Sequence, residues 1–330
     1  MNLCLCAFVV NLCWNRKAAE LMTEPHELYE WVPQRCPICD RPPTKFLGRR
    51  GGSAHREYLG VETKIWRCAK CGLTFPNPMP IPVGGLDQHY AVSPDAYFEH
   101  HETENRKENA VALLTEAEAL VRGKGRLLDI GAGRGELLLA GVELGWKVTG
   151  IEPSTTFASH AAKVSGAEVR REAVQECNFP SSAFDVVILG AVLEHLYNPD
   201  ETIQEISRIL RPGGALFLDV PNEQGLYFQL GNLYQKLRGR DWVINLAPTF
   251  SPFHVFGFSP KSLRALLAKH GLRPERWHVY AGISYVPART GLLSVLERQA
   301  AKAVTAVSNF GSLGAYIVTW AIKEPGPSSI

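Results

Sequence analysis

No apolar run in this chain approaches the ~20 residues a helix needs to cross a bilayer, so no transmembrane segment is expected. Charge of one sign is also missing. Thirty-five Lys and Arg stand against 33 Asp and Glu, a net +2, which gives no electrostatic reason to expect nucleic acid or a membrane surface as partner. A secretory signal is not expected either. Met1 to Trp14 is apolar, but Arg16 and Lys17 follow that stretch, whereas a signal places its positive charges first. Residues 1–25 are therefore read as an N-terminal extension and a cytoplasmic location is expected; Met22 is an alternative start and a short membrane-associating helix the sharper reading. Internal repeats and low-complexity segments are absent apart from a short tail, 326–330. What remains is an ordinary globular balance, 45% hydrophobic and 21% charged, in 330 residues. That is room for a catalytic domain of about 200 residues with additions.

One more absence is informative. Leu127-Leu128-Asp129-Ile130-Gly131-Ala132-Gly133-Arg134-Gly135-Glu136 runs from an apolar strand through a glycine turn into a helix. Its glycines are spaced G-x-G-x-G, and Glu136 occupies the place where a dinucleotide fingerprint needs its third glycine. Asp129, just before the turn, would face a pyrophosphate with like charge, which is unfavourable. A ligand carrying an ammonium group would favour it. The competing reading makes Asp129 a cap for the helix that follows.

Further pieces come in order. Lys147 to Glu152 reads as a second strand ending in an acid suited to ribose hydroxyls. Ala167 to Arg170 reads as a third strand, followed by Glu172-Ala173-Val174. Phe184 to Leu189 is an apolar run of buried type, followed by Gly190-Ala191-Val192-Leu193-Glu194-His195-Leu196. A helix is expected from Asp200 to Leu210, stopped by Arg211-Pro212-Gly213-Gly214, before a fifth strand, Ala215 to Val220.

With these pieces the chain, over residues 124 to 323, resembles the class I S-adenosylmethionine-dependent methyltransferases, in the branch carrying "LEHL…P…L…RPGG". The resemblance implies an α/β, Rossmann-like, seven-stranded sheet, mostly parallel with one antiparallel strand, and S-adenosylmethionine as cofactor. It places Asp129 and Gly131 at the methionine part, with Gly133 and Gly135 allowing close approach. Glu152 would hold the ribose, Glu172 with the Ala173 backbone the adenine, and Gly190 would line the methionine end.

Four of the eight cysteines form Cys36-Pro37-Ile38-Cys39 and Cys68-Ala69-Lys70-Cys71. Two C-x-x-C knuckles at this spacing point to a closed, structural tetrahedral zinc site in a small ribbon, 26–80. Cys4, Cys6, Cys13 and Cys177 show no ligand spacing. Residues 81–123 read as a helical connector or lid, with Tyr97-Phe98 either over the cofactor or in the core, and 124–325 as the methyltransferase domain. Within it, the aromatic-rich insertion 222–258 leaves from a strand's carboxyl end and is the expected wall of the acceptor pocket. A helical excursion is expected near 291–307.

Methyl transfer to a hydroxyl or carbon acid needs a proton acceptor, and histidine has the right ordinary pKa. His195, after the fourth strand, and His254, closing the insertion, are the candidates, with Asn222 orienting the acceptor. Sugar 3-C-methyltransferases that also carry an N-terminal four-cysteine module are similar to this chain and implicate a histidine after strand four. The expected partner is a small polar acceptor, a sugar or sugar-containing intermediate. An RNA substrate docked on the basic residues of the ribbon, Arg49 and Arg50 among them, is the alternative, and a non-catalytic cofactor-binding module the third.

Overall fold

In the computed structural model, residues 28–55, 58, 60–83, 106–246, 254–281, 299, 302–309 and 313–325 are described. Tyr97, Phe98 and most of the 281–313 excursion lie outside them, as do the N-terminal extension through residue 27 and the tail.

The four-cysteine region supplies the first five strands: β1 (Tyr29–Val32), β2 (Lys45–Arg50), β3 (Thr63–Arg67), β4 (Thr74–Pro76) and β5 (Met79–Pro82). β2, β3 and β4 form one antiparallel sheet, and β1 pairs antiparallel with β5. Helix α1 (Arg106–Val121) follows, within the expected helical stretch.

The glycine turn then opens a doubly wound unit. β6 (Arg126–Ile130), α2 (Glu136–Glu143), β7 (Lys147–Ile151), α3 (Thr155–Ser165), β8 (Glu168–Arg170) and β9 (Phe184–Gly190) alternate strand and helix. After a single helical turn, Leu193–His195, come α4 (Pro199–Ile209) and β10 (Leu210–Pro221). The expected fifth strand began at Ala215; pairing of Leu210 with Phe184 extends it back through Arg211-Pro212-Gly213-Gly214, with a register shift there. Helices α5 (Leu226–Leu237) and α6 (Pro260–Lys269) and strands β11 (Leu272–Tyr280) and β12 (Tyr316–Lys323) complete the chain. Residues 302–308 are helical, inside the expected excursion.

The large sheet has seven strands in the order β11-β12-β10-β9-β6-β7-β8. β12 runs antiparallel to both neighbours and every other pairing among β6–β10 is parallel. Strand order reverses between β6 and β9, the crevice where open α/β sheets take ligands. Fully buried strands explain the continuous apolar runs Val186–Leu189 and Ala215–Leu218. α1 packs with Leu127, Ile188, Phe217 and Trp320 on one face, and α4 and α6 cover Leu128, Val187 and Leu218 on the other.

The cysteine region does not stand apart. Cys36, Cys68, Cys71, Leu73 and Phe75 belong to the same buried cluster as Leu128, Leu218 and Phe256. Thr74 and Gly257 exchange both backbone hydrogen bonds, at 2.9 and 2.7 Å. Arg49 pairs with Asp241 (2.8 Å) and Glu62 (2.9 Å). A ribbon too small for a core of its own borrows one from the methyltransferase-like unit.

Candidate active site

The glycine turn reaches its shape through positive φ at Gly131 (79°), Gly133 (53°) and Gly135 (85°). Gly135 caps α2 with no side-chain hydrogen bond, so Asp129 is not the helix cap. A Cβ on Gly135 would stand 2.8 Å from the Ala161 backbone, whereas at Gly133 and Gly190 it would meet nothing within 4 Å. The turn is thus closed against α3 and open toward the crevice.

Asp129 and Glu152 lie at the carboxyl ends of the adjacent strands β6 and β7, 6% and 8% exposed. Glu152 accepts from the Gly133 amide and the Ser154 amide, both at 2.9 Å. It therefore holds the glycine turn in shape as well as facing the crevice, a role its spacing does not disclose. Burial, with smaller contributions from the charges of Glu152 and Glu136, pushes Asp129 up to about 7. Burial also raises Glu152, partly offset by its two backbone donors. Two acids held above their ordinary range and close together fit a cationic ligand, whose charge would draw both back down.

Glu172 is exposed and accepts from the Arg171 amide at 3.1 Å. The Ala173 amide donates to Glu176 at 3.3 Å. Asp185, the second residue of β9, accepts from the Arg126 amide at 2.7 Å and pairs with Arg211.

On the far side of Gly190, the structure brings together the two candidate histidines. The rings of His195 and His254 pack edge to face, 4.8 Å between centroids. The backbone carbonyl of Glu194 accepts from Val255 and Phe256, at 2.9 and 3.1 Å, and this ties the turn after β9 to the end of the insertion. Burial, reinforced by the neighbouring His195, holds His254 well below 6.5. It is therefore neutral near pH 7 and able to accept a proton. Asn222 is fully buried; its amide donates to the Gly314 carbonyl (2.7 Å) and its oxygen accepts from the Gln224 amide (3.2 Å). These bonds fix the loop after β10.

Three buried acids were not singled out from the sequence: Glu194, Asp219 and Glu223, each 2% exposed or less. Glu223 is satisfied, accepting from Asn245 Nδ2 at 2.7 Å and from the Leu246 amide at 3.2 Å. Burial raises it to about 7 against the charges of Arg50 and Arg67, which the cysteine region turns toward it. An acid inside an apolar run, as in Leu216-Phe217-Leu218-Asp219-Val220, is the signal that marks Asp219.

The four cysteines converge as their spacing predicts. Cys36–Cys71 and Cys39–Cys68 sulfurs are 3.4 Å apart and Cys39–Cys71 4.0 Å. A tetrahedron with ~2.3 Å metal–sulfur bonds has edges of about 3.8 Å, so the set fits a zinc ion. Each knuckle is followed by a left-handed residue, Asp40 (φ 48°) and Gly72 (φ 86°), with Asp40 N to Cys36 O at 2.8 Å and Gly72 N to Cys68 O at 2.9 Å. Cys177 is a buried free thiol away from this cluster.

Among curated proteins the chain is 32% identical over 169 residues to the ubiquinone biosynthesis O-methyltransferase of Caulobacter sp. strain K31, covering 49% of this chain and 64% of that protein. It is 28% identical over 171 residues to the mitochondrial ubiquinone biosynthesis O-methyltransferase of Rattus norvegicus, covering 49% and 47%. The chain thus spans about half to two thirds of the length of these relatives. A SAM-dependent methyltransferase of Archaeoglobus fulgidus aligns at TM-score 0.47 and 18% identity, over 69% of this chain and 97% of that one. No helix among the described residues is long and apolar enough to cross a membrane. Residues 99–276, more than half of the chain, match the methyltransferase domain family, and the protein belongs to that family.

Proposed function

We propose that this protein transfers a methyl group from S-adenosylmethionine to a small polar acceptor, a sugar or sugar-containing intermediate. The observation that carries the reading is the pair of buried, raised carboxylates, Asp129 and Glu152, at the ends of adjacent parallel strands beside an open glycine turn. When bound, the cofactor supplies a methyl group made electrophilic by its sulfonium. Asp129 and Gly131 take the methionine part, with Gly133 and Gly135 leaving backbone room. Each Glu152 oxygen keeps a lone pair beyond its backbone donor for the ribose hydroxyls. Glu172 and the Ala173 amide take the adenine, the amide exchanging its long bond to Glu176. Gly190 leaves space at the methionine end.

On the acceptor side, His254 is held neutral by burial and by its neighbour His195, so it is free to take a proton. His195 packs against it and completes the wall. Asn222 acts by fixing the loop behind them. Cys36, Cys39, Cys68 and Cys71 hold a structural zinc ion, with no open position for water or substrate.

The names of the curated relatives bring an O-methyl transfer to a hydroxyl into view, and a hydroxyl is within what His254 can deprotonate. The RNA alternative is weakened by how the basic residues of the ribbon are used. Arg49 is spent on Asp241 and Glu62, Arg50 donates to the Leu246 carbonyl and Arg35 pairs with Asp40. The test is calorimetric binding of S-adenosylmethionine, followed by labelled methyl transfer to nucleotide-sugar pools and to RNA. Binding with transfer to a sugar is expected. Transfer to RNA alone, or NAD binding in place of S-adenosylmethionine, would overturn the reading.

A further inference from the structure

Asp219 stands directly beside Gly190 in the β9–β10 ladder, and its carbonyl accepts from the Ala191 amide at 3.0 Å. The parallel register puts Asp129, Ile188, Gly190, Phe217 and Asp219 on one face of the sheet. Two strand spacings and one two-residue step separate Asp129 from Asp219, about 12 Å between Cα atoms. The open space before Gly190 lies between them. Asp129 belongs to the cofactor's flank, so Asp219 belongs to the acceptor's.

Asp219 is 1% exposed, and neither carboxylate oxygen completes a hydrogen bond in good geometry among the described residues, although the Tyr280 hydroxyl lies near enough to favour its charged form. Glu194, on the turn that follows β9, is 2% exposed and leaves its Oε2 equally unbonded. Glu194 senses Asp219: burial first, then, against a backbone hydrogen bond, the charges of Asp219 and Glu223 push Glu194 up to about 8. Burial likewise lifts Asp219 to about 8, eased by the nearby Tyr280 hydroxyl. Glu194 also lies beside the histidine pair, its carboxylate oxygen and one ring nitrogen of each histidine falling within 4.8 Å of one another. The contrast with Glu223 is direct, since that acid is equally buried but fully bonded by Asn245 and Leu246. Buried acceptors left unbonded are costly unless a ligand completes them.

We infer that the acceptor carries a protonated amine, and that Asp219 and Glu194 hold this ammonium group beside the point of methyl transfer. This rests on the methyltransferase reading above and narrows its acceptor class. The ammonium anchors rather than reacts, because a protonated nitrogen has no lone pair to attack the methyl carbon. As it enters, the two acids ionise and give their protons to solvent. A hydroxyl at the same place brings no charge to stabilise the ionised acids, so both stay protonated and the contact is limited to neutral hydrogen bonds.

The experiment uses the full chain loaded with S-adenosylhomocysteine at pH 6.5. Two matched pairs are titrated by calorimetry: glucosamine against glucose, and cyclohexylamine against cyclohexanol. Each amine is expected to bind at least tenfold tighter than its alcohol. Infrared difference spectra should show protonated-carboxyl bands lost on amine binding only, assigned with D219N and E194Q. Each variant should reduce the amine preference to about twofold or less while S-adenosylhomocysteine affinity stays within twofold of the unchanged protein. Equal binding within both pairs, no binding of either amine, or an amine preference that survives in the D219N/E194Q double variant overturns the inference. Retained S-adenosylhomocysteine binding in those cases leaves the methyltransferase reading standing; its loss in the unchanged protein removes that reading instead.

Discussion

Replacing Asp129 with Asn should move stability and cofactor affinity in opposite directions. Burial, then Glu152 and Glu136, raise Asp129 from 3.8 to about 7 in the folded chain. An acid whose folded pKa lies above its unfolded one favours folding only while protonated. Its ionisation therefore costs nothing below about pH 4, costs progressively more as pH rises from 4 to 7, and costs its full amount above that. At about 1.4 kcal/mol per pKa unit, the full cost is about 4 kcal/mol. D129N removes it, so the cofactor-free variant should be more stable than the unchanged protein at pH 8. The gain is bounded by about 4 kcal/mol and shrinks toward zero as pH falls to 4. In the proposed function the same carboxylate meets the cofactor's positive charge, so D129N should bind S-adenosylmethionine about 100-fold more weakly, roughly 2.7 kcal/mol. Binding to the unchanged protein at pH 6.5 should release protons, because a cation beside Asp129 draws it into its ionised form. Urea unfolding at pH 5 and 8, and calorimetry in phosphate and Tris, read all three effects. A variant no more stable at pH 8, or one that binds the cofactor as the unchanged protein does, refutes the assignment of this group.

Four further outcomes are expected. Purified protein should release one zinc ion per chain to a colorimetric chelator. Because Cys36, Cys68 and Cys71 share a core with Leu128 and Leu218, C71S should lower a single calorimetric transition by several degrees rather than melt the ribbon alone; two resolved transitions would contradict this. Gly135→Ala combines φ +85° with a Cβ 2.8 Å from the Ala161 backbone, and should cost about 1–3 kcal/mol in unfolding free energy, with Gly133→Ala, whose Cβ meets nothing, as the milder comparison. The acid limb of the rate profile should lie well below the 6.5 of an ordinary histidine, because burial and His195 both hold His254 down. H195N removes the repulsive part, so it should move that limb upward, and a limb that stays in place would take His254 out of the role of proton acceptor.

Much of the large sheet was legible because parallel strands buried on both faces must be written as unbroken apolar runs. Phe184 to Leu189 and Ala215 to Val220 could be little else, and Ser259-Pro260 has the local chemistry of a helix start that α6 uses, with Ser259 accepting from the Ser262 amide. The start of β10 was hidden because Arg211-Pro212-Gly213-Gly214 has the chemistry of a helix stop, and it is one; the chain simply pairs with β9 from Leu210 onward. In the site, Asp129 and the cysteines could be found because their meaning lies in local spacing. Asp219, Glu194 and the second function of Glu152 were not found, because each depends on what a distant segment does or does not offer it. The acid inside an apolar run marks Asp219 in sequence, but how little its oxygens find to bond depends on segments far away in the chain.

The same argument bears on why a four-cysteine ribbon accompanies this fold. Its strands do not extend the large sheet; they join the insertion after β10, through Thr74 with Gly257 and Arg49 with Val243 and Asp241. Gln224 reaches across to the Gly72 carbonyl at 3.0 Å, one residue past Cys71. Arg50 and Arg67 bring their charge toward Glu223, three residues before Leu226 opens α5. Asp129, Glu152 and the glycine turn make none of these contacts. Distortion of the knuckles therefore travels first into the insertion. Partial loss of zinc should raise the acceptor's KM while the Kd for S-adenosylhomocysteine holds, and a parallel loss of both would show that the ribbon supports the sheet as a whole instead.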